Sequence, residues 1–193
     1  MNQTIQDLLD NINSLEQTLS DELHRHSDEL RFELKKGRIV FEQELKEANK
    51  AFRIGIGEYI KNARWLVLLT APVIYSLLIP FVMLDLFVSI YQAICFPVYS
   101  IPKVKRSQYL VFDRLKLDYL NGIEKLNCAY CSYGNGVISY VQEVAARTEQ
   151  YWCPIKHARK AQATHSRYPK FTDFGDGEQY RREAARIKCD FED

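Results

Sequence analysis

The chain has 193 residues, enough for one ordinary globular domain or for a small domain joined to something else. Its net charge of +1 hides three segments: residues 1–64 carry 10 basic and 12 acidic side chains, residues 65–101 carry Asp85 alone, and residues 102–193 carry 16 basic and 12 acidic side chains. An odd number of cysteines (five) and an N-terminus without a basic, apolar leader argue against a disulfide-linked secreted protein.

The first 64 residues are predicted to form a long amphipathic helix. Residues recur at spacings of three and four over more than half of this arm, all of them apolar except one histidine: Ile5, Leu8, Ile12, Leu15, Leu19, Leu23, His26, Leu30 and Leu34. No proline interrupts the arm, and Gly37 and the Gly55–Gly57 pair are its plausible bends. The stripe needs a partner to bury it, so we expect residues 1–60 to form a coiled coil with a second copy or to bind another protein. The C-terminal domain folding back is a third candidate partner.

The stretch from Trp65 to Ile101 is predicted to enter a membrane. It holds 37 residues with no basic side chain and one acid, whereas one crossing needs about 20 helical residues. A break between Pro80 and Asp85 gives a hairpin of two helices, about 65–84 and 86–101. A buried hairpin of a soluble protein is the competing interpretation.

Basic residues flank this stretch on both sides, with Lys61 and Arg64 before it and Lys103, Lys105 and Arg106 after it. Because such residues collect on the cytoplasmic side, a hairpin in the inner membrane would leave both termini in the cytoplasm. A wedge that enters and leaves one face is the alternative. Asp85 is interpreted as a solvated turn residue, or else as an intramembrane proton or ion ligand.

Three cysteines and a histidine lie close together in the C-terminal half, as Cys128-Ala-Tyr-Cys131 and Cys153-Pro-Ile-Lys-His157. Zinc prefers four tetrahedral sulfur and nitrogen ligands, and two such pairs are a common way to supply them. Residues 102–170 are therefore predicted to be a small helical Cys₃His domain, followed by a polar tail, 171–193. A chain reversal near Gly134 and Gly136, or near Tyr151–Trp152, is needed to bring the pairs together.

Other roles for these cysteines remain open. The same ligands would suit iron or an iron–sulfur cluster. Alternatively, Cys128 and Cys131 could form a reversible redox disulfide, or all of these cysteines could be ordinary buried thiols. Cys189 and His165 are substitute ligands. Metal-assisted hydrolysis would need an open coordination position and a carboxylate base, for which Glu143 and Glu149 are the local candidates.

The cysteine block itself, NCxYC followed by a glycine-bearing turn and then AARTEQYWCPIKHA, resembles a motif of short bacterial inner-membrane proteins that carry an apolar hairpin ahead of the cysteines. The resemblance covers roughly residues 60–165 and is specific only in the cysteine block. It implies an inner-membrane location, with Cys128, Cys131, Cys153 and His157 as the functional centre. It implies no activity.

The sequence as a whole therefore predicts a mainly all-α, membrane-anchored, metal-binding module that assembles or recruits partners through its N-terminal helix. A redox or iron–sulfur protein acting with a membrane oxidoreductase is the alternative. The chain has none of the phosphate-binding, dinucleotide-binding or zinc-protease motifs, and no enzymatic reaction is assigned. The basic C-terminal residues suit anionic lipid headgroups better than nucleic acid.

Overall fold

The computed structural model describes residues 11–12, 14–22, 25, 32–35, 38–41, 43–159 and 161–191. Most of these residues are helical, which confirms the mainly all-α prediction. The chain divides into two compact units. One comprises Met1–Lys61 and Asp113–Lys125, and the other comprises Asn62–Phe112 and Leu126–Asp193.

The first unit contains α1 (14–22), β1 (Phe32–Lys35), β2 (Arg38–Phe41), α2 (Gln43–Lys50) and α3 (Ile56–Asn62). The predicted continuous helix is wrong between residues 32 and 41, where β1 and β2 pair antiparallel with Phe32 opposite Phe41. The physical reason is visible in FELKKGRIVF: apolar residues alternate with polar ones before Lys36–Gly37, and a β-branched and aromatic run, Ile39–Phe41, follows it. The stripe residues at positions 5, 8, 23, 26 and 30 lie outside the described residues.

The second unit contains one long apolar helical stretch, formed by α4 (Trp65–Ser76) and α5 (Leu78–Val98). Leu77, the single residue between them, keeps right-handed helical dihedral angles, so the predicted hairpin with a break at Pro80–Asp85 is not formed. Pro80 lacks an N–H for the carbonyl of Ser76, four residues earlier, and this places the interruption at the Ser76–Leu77 junction. Asp85 lies inside α5.

Helix α6 (Gly122–Trp152) runs without interruption for 31 residues. Asn121 caps its start, since its side-chain oxygen accepts hydrogen bonds from the N–H groups of Ile123 and Glu124 while the Glu124 carboxylate accepts from the N–H of Asn121. This reciprocal pairing is a capping box. The strong start and the absence of proline between residues 122 and 153 let the helix continue through both glycines.

The apolar helix and α6 run parallel to each other within the second unit. Contacts between them advance in step along both helices, from Tyr75 with Asn127 to Tyr99 with Tyr151. Residues 101–112 pack against both helices, and Phe96, Ile101, Val104, Tyr140 and Val144 form the buried core.

The segment after α6 folds back onto it. Ile155 forms a parallel bridge with Thr172, and α7 (Gly177–Ile187) buries Ala184 and Ile187. Asp176 caps α7 by accepting a hydrogen bond of 2.8 Å from the N–H of Gln179. The predicted polar tail, 171–193, contains α7, whose few spaced apolar residues give the helix a face to bury.

Candidate functional site

The outer surface of α4 and α5 is an exposed apolar face. Within the described part of the chain one helix, Trp65–Val98, is long and apolar enough to cross a membrane. Its most apolar stretch has a mean hydropathy of 2.3, and none of that stretch is buried. Large exposed side chains cover it from end to end: Trp65, Leu66, Leu69, Val73, Ile79, Met83, Leu86, Phe87, Ile90, Ile94 and Val98. A soluble monomer rarely exposes a continuous apolar surface of this length.

The opposite side of α5 carries its polar residues. Asp85, Ser89 and Gln92 follow one another at spacings of four and three, so they share one helical face. The Gln92 amide nitrogen donates to the carbonyl of Val104 at 3.2 Å and to the hydroxyl of Tyr140 at 2.6 Å. The Gln92 oxygen accepts from the N–H of Val104 at 2.9 Å. These polar groups fix the rotation of α5 about its axis by turning one face toward the protein.

Asp85 forms the second polar contact of this face. Arg106 donates to both of its carboxylate oxygens, at 2.8 and 2.5 Å, and the Tyr133 hydroxyl donates to one of them at 2.9 Å. The hydrogen bond to Asp85 raises the pKa of Arg106 above its ordinary value, so the guanidinium stays charged. Asp85 is thus a buried, paired acid, and its interpretation as a solvated turn residue is wrong.

A groove of about 460 Å³ opens between α5 and α6. Val88 and Tyr91 line it from α5, and Val141, Ala145 and Trp152 are among the side chains that line it from α6. Glu149 stands at this groove and contacts the ring nitrogen Nε2 of His165 through Oε2 at 3.0 Å. The groove is lined mainly by apolar side chains, and the Glu149–His165 pair stands beside it.

The structure does not bring the four predicted metal ligands together. Cys128 and Cys131 lie in the first half of α6, three residues apart on one face, with Cys131 exposed. Cys153 follows the last residue of α6 and extends its hydrogen bonding, because its N–H donates to the carbonyl of Glu149 at 2.7 Å. Along a continuous helix, the 22 residues from Cys131 to Cys153 span about 33 Å. The two pairs therefore cannot share one ion within a single chain in this conformation.

The second predicted pair has its own surroundings. The ring of His157 stacks on Tyr168 with ring centroids 6.1 Å apart, and its backbone N–H donates to the Tyr168 hydroxyl. Cys153 and His157 are both exposed, and Cys189, the substitute ligand, is exposed after α7. Among the residues that the structure describes, no three Cys, His, Asp or Glu side chains lie close enough to hold a metal ion together.

The glycines that were predicted to reverse the chain have a different role. Both are helical and buried, and each lets another part of the chain approach α6. A Cβ at Gly136 would lie 2.7 Å from the carbonyl oxygen of Tyr109, and one at Gly134 would lie 3.0 Å from the ring of Phe81. Close approach, and not a turn, explains these two glycines.

A partly buried ionic cluster on the second half of α6 was missed by the sequence reasoning. Glu143 accepts hydrogen bonds from Arg147 at 2.7 Å and from Arg167 at 3.0 and 3.1 Å. Arg167 also donates to Gln150, whose amide donates to the backbone carbonyls of Ile187 and Asp190. The i, i+4 pair Glu143–Arg147 is a readable sequence signal, whereas Arg167 comes from a distant loop that no local pattern identifies.

The chain matches no protein-family model, no curated protein and no solved structure.

Proposed function

We propose that this protein is a membrane-anchored assembly module. The apolar face of α4 and α5 holds the chain to a lipid bilayer, and the N-terminal unit recruits a partner. The observation that carries the proposal is the 34-residue apolar helix, Trp65–Val98, whose outer side chains are exposed along its whole length. Burying such a surface in hydrocarbon is favourable by roughly 25 cal/mol for each Å² removed from water.

The arrangement of the polar residues of α5 supports the same proposal. In a helix that contacts lipid, polar side chains face the protein and are paired there, because an unpaired polar group in hydrocarbon is costly. Asp85 and Gln92 follow this rule, since both are buried and both have hydrogen-bond partners in the second unit. An ordinary water-exposed helix would carry such residues on its outer face.

Vesicle flotation tests the anchoring function. The purified full-length protein is expected to float with vesicles of phosphatidylcholine and phosphatidylglycerol, and the double variant Leu69→Lys with Ile79→Lys is expected to remain at the bottom of the gradient. Phe174→Lys is the matched control, because Phe174 and Ile79 are each 66% exposed but Phe174 lies outside the apolar helix. Equal flotation of the double variant and the wild type would contradict the anchoring function.

For the recruiting function, the support comes from α1. Ile12, Leu15 and Leu19 are exposed in the described part of the N-terminal unit and follow helical spacing. We infer that this stripe binds a second copy of the chain or another helical protein, as in a coiled coil. Sedimentation of the detergent-solubilised protein tests it: Leu15→Asp with Leu19→Asp is expected to lower the mass of the assembled species. An unchanged mass, together with unchanged capture of partner proteins, would contradict this role.

The zinc and iron–sulfur predictions stay predictions. Cys128 and Cys131 offer two thiols on one face of α6, and a four-ligand site that uses them needs ligands from a second chain. Elemental analysis with a visible spectrum of the purified protein separates the occupants. Zinc without colour favours a structural site, and iron with charge-transfer bands favours the redox alternative.

A further inference from the structure

We propose that the apolar helix lies in the plane of the membrane interface, within one leaflet, and does not cross the bilayer. This inference rests on the proposed anchoring function and adds the orientation of the anchor and the side from which the protein contacts lipid. Two features support it, one in the second unit and one in the connection to α6.

Protein covers one side of the apolar helix along most of its length. Contacts with α6 begin at Tyr75 and continue to Tyr99, over 24 residues, which is about 36 Å of helix. The hydrocarbon core of a bilayer is only about 30 Å thick. A crossing helix would therefore carry the covering protein into the hydrocarbon with it.

The parallel arrangement of the two helices adds a topological requirement. Because the two helices are parallel, the connection from Val98 to Gly122 must run back along them from the end of one to the start of the other. This requirement holds wherever the membrane lies. Seven charged residues lie in this connection: Lys103, Lys105, Arg106, Asp113, Arg114, Lys116 and Asp118. Arg106 is paired with Asp85, but Lys103 and Lys105 are exposed on either side of Val104, which hydrogen-bonds to Gln92. Exposed lysines beside a crossing helix would face hydrocarbon, where charged side chains are rare.

An in-plane helix satisfies both constraints. Leu69, Met83, Phe87 and Ile94 fall on one line of the helix, opposite Asp85 and Gln92, and all four are exposed. With this line directed into the acyl chains, the polar line, residues 101–112 and the part of α6 from residue 126 onward remain on the water side. Lys103 and Lys105 then lie beside anionic headgroups, and Trp65 lies at one end as an interfacial aromatic residue.

Spin-label depth measurements distinguish the two orientations. Single cysteines replace Leu69, Met83, Phe87 and Ile94 in the full-length chain with its five cysteines changed to serine, and Lys103→Cys serves as the water-exposed control. The labelled proteins are bound to phosphatidylcholine–phosphatidylglycerol vesicles. The depth of each label is obtained by comparing how strongly it is relaxed by oxygen, which partitions into the membrane, and by a water-soluble nickel chelate.

The in-plane orientation gives all four labels one depth, about 5–10 Å below the headgroups, with the Lys103→Cys label in water. A crossing helix or a hairpin gives Met83→Cys a depth near the bilayer centre and the two end positions shallow depths, because Leu69 and Ile94 are about 37 Å apart along the helix. That profile would overturn the in-plane orientation while leaving the anchoring function intact. Four labels in water would overturn both.

A second measurement needs no cysteine replacement. In sealed, inverted inner-membrane vesicles, external trypsin is expected to cut the unmodified protein both after Arg64 and after Lys103, because both ends of the helix lie on the same side. Cleavage at only one of these positions before detergent is added, and at both afterwards, would overturn the in-plane orientation.

Discussion

Replacing Gln92 by leucine tests whether a buried polar side chain in an apolar helix holds the second unit together. Leucine is close to glutamine in size and favours the helix equally, so the change removes hydrogen bonds with little change in shape. It leaves the N–H and the carbonyl of Val104 without their Gln92 partner, in a residue that is only 5% exposed. The Tyr140 hydroxyl keeps a contact of 3.3 Å with Ser89.

The expected cost follows from those two backbone groups. Each buried donor or acceptor that loses its partner costs about 1–3 kcal/mol, so the pair costs about 2–6 kcal/mol. The lower value alone raises the population of molecules in which residues 101–106 have detached from α5 by about thirtyfold, since about 1.4 kcal/mol corresponds to a factor of ten.

Native-state proteolysis measures this population directly. Trypsin cuts after Lys103 and Lys105, on either side of Val104, and it requires the local chain to detach from the protein first. When detachment is fast, the cleavage rate is proportional to the detached population, so Gln92→Leu is expected to be cut at least about thirty times faster than the wild type. Gln142→Leu, on an exposed position of α6, is the matched control and should match the wild type. A rate for Gln92→Leu within twofold of the control would refute the reasoning.

Three further outcomes are expected. Gly136→Ala should lower the melting temperature measured by circular dichroism, because a Cβ only 2.7 Å from a backbone oxygen costs about 1–3 kcal/mol, against a helix-propensity gain of about 1 kcal/mol. Gly57→Ala should raise the melting temperature, because nothing lies within 4 Å of the new Cβ. The reverse order of melting temperatures would contradict the close approach at Gly136. Burial and the hydrogen bond to Asp85 raise the pKa of Tyr133, so its contribution to stability is present below the ordinary tyrosine pKa and is lost as pH rises through the raised one. The ultraviolet titration curve of the wild type minus that of Tyr133→Phe isolates the Tyr133 phenol, which should ionise above the ordinary pH range of tyrosine. Ionisation within or below that range would contradict the raised pKa. Cys153→Ser and His157→Ala should each leave the protein's metal content unchanged, because about 33 Å of helix separates them from the first cysteine pair; loss of metal in either variant would show that the pairs do share an ion.

Features set by local pattern were predictable from the sequence. The apolar stretch that begins at Trp65 is confirmed as helical from Trp65 to Val98. Its length and hydropathy were visible in the sequence, and they are what predicts contact with a membrane. Its internal interruption was misplaced because proline acts on the carbonyl four residues before it. An acid at position 85 was therefore assigned to a turn, although long-range pairing with Arg106 keeps it inside a helix.

The cysteine pairs show where sequence spacing loses its value. Cys128–Cys131 and Cys153–His157 match zinc ligands only if the chain reverses between them, which the sequence predicts near Gly134 and Gly136 or near Tyr151–Trp152. Glycine lowers helix propensity by about 1 kcal/mol, but tertiary packing offsets that cost where a neighbouring segment needs the space. The approach of Tyr109 and Phe81 to the two glycines supplies that packing, and neither approach is visible in the local sequence.

The same long-range contacts explain how one helix can be apolar and still have a defined orientation. In a uniformly apolar helix only the shape of the packing distinguishes one face from another, whereas hydrogen bonds to polar side chains select a single face. In α5, Asp85 binds Arg106 and Gln92 binds Val104, so both polar residues turn the same helical face toward residues 101–106. Removing either contact should therefore loosen the connection first and the exposed apolar line second. The order is measurable, because the detached connection is cut by trypsin while the outer face still binds vesicles.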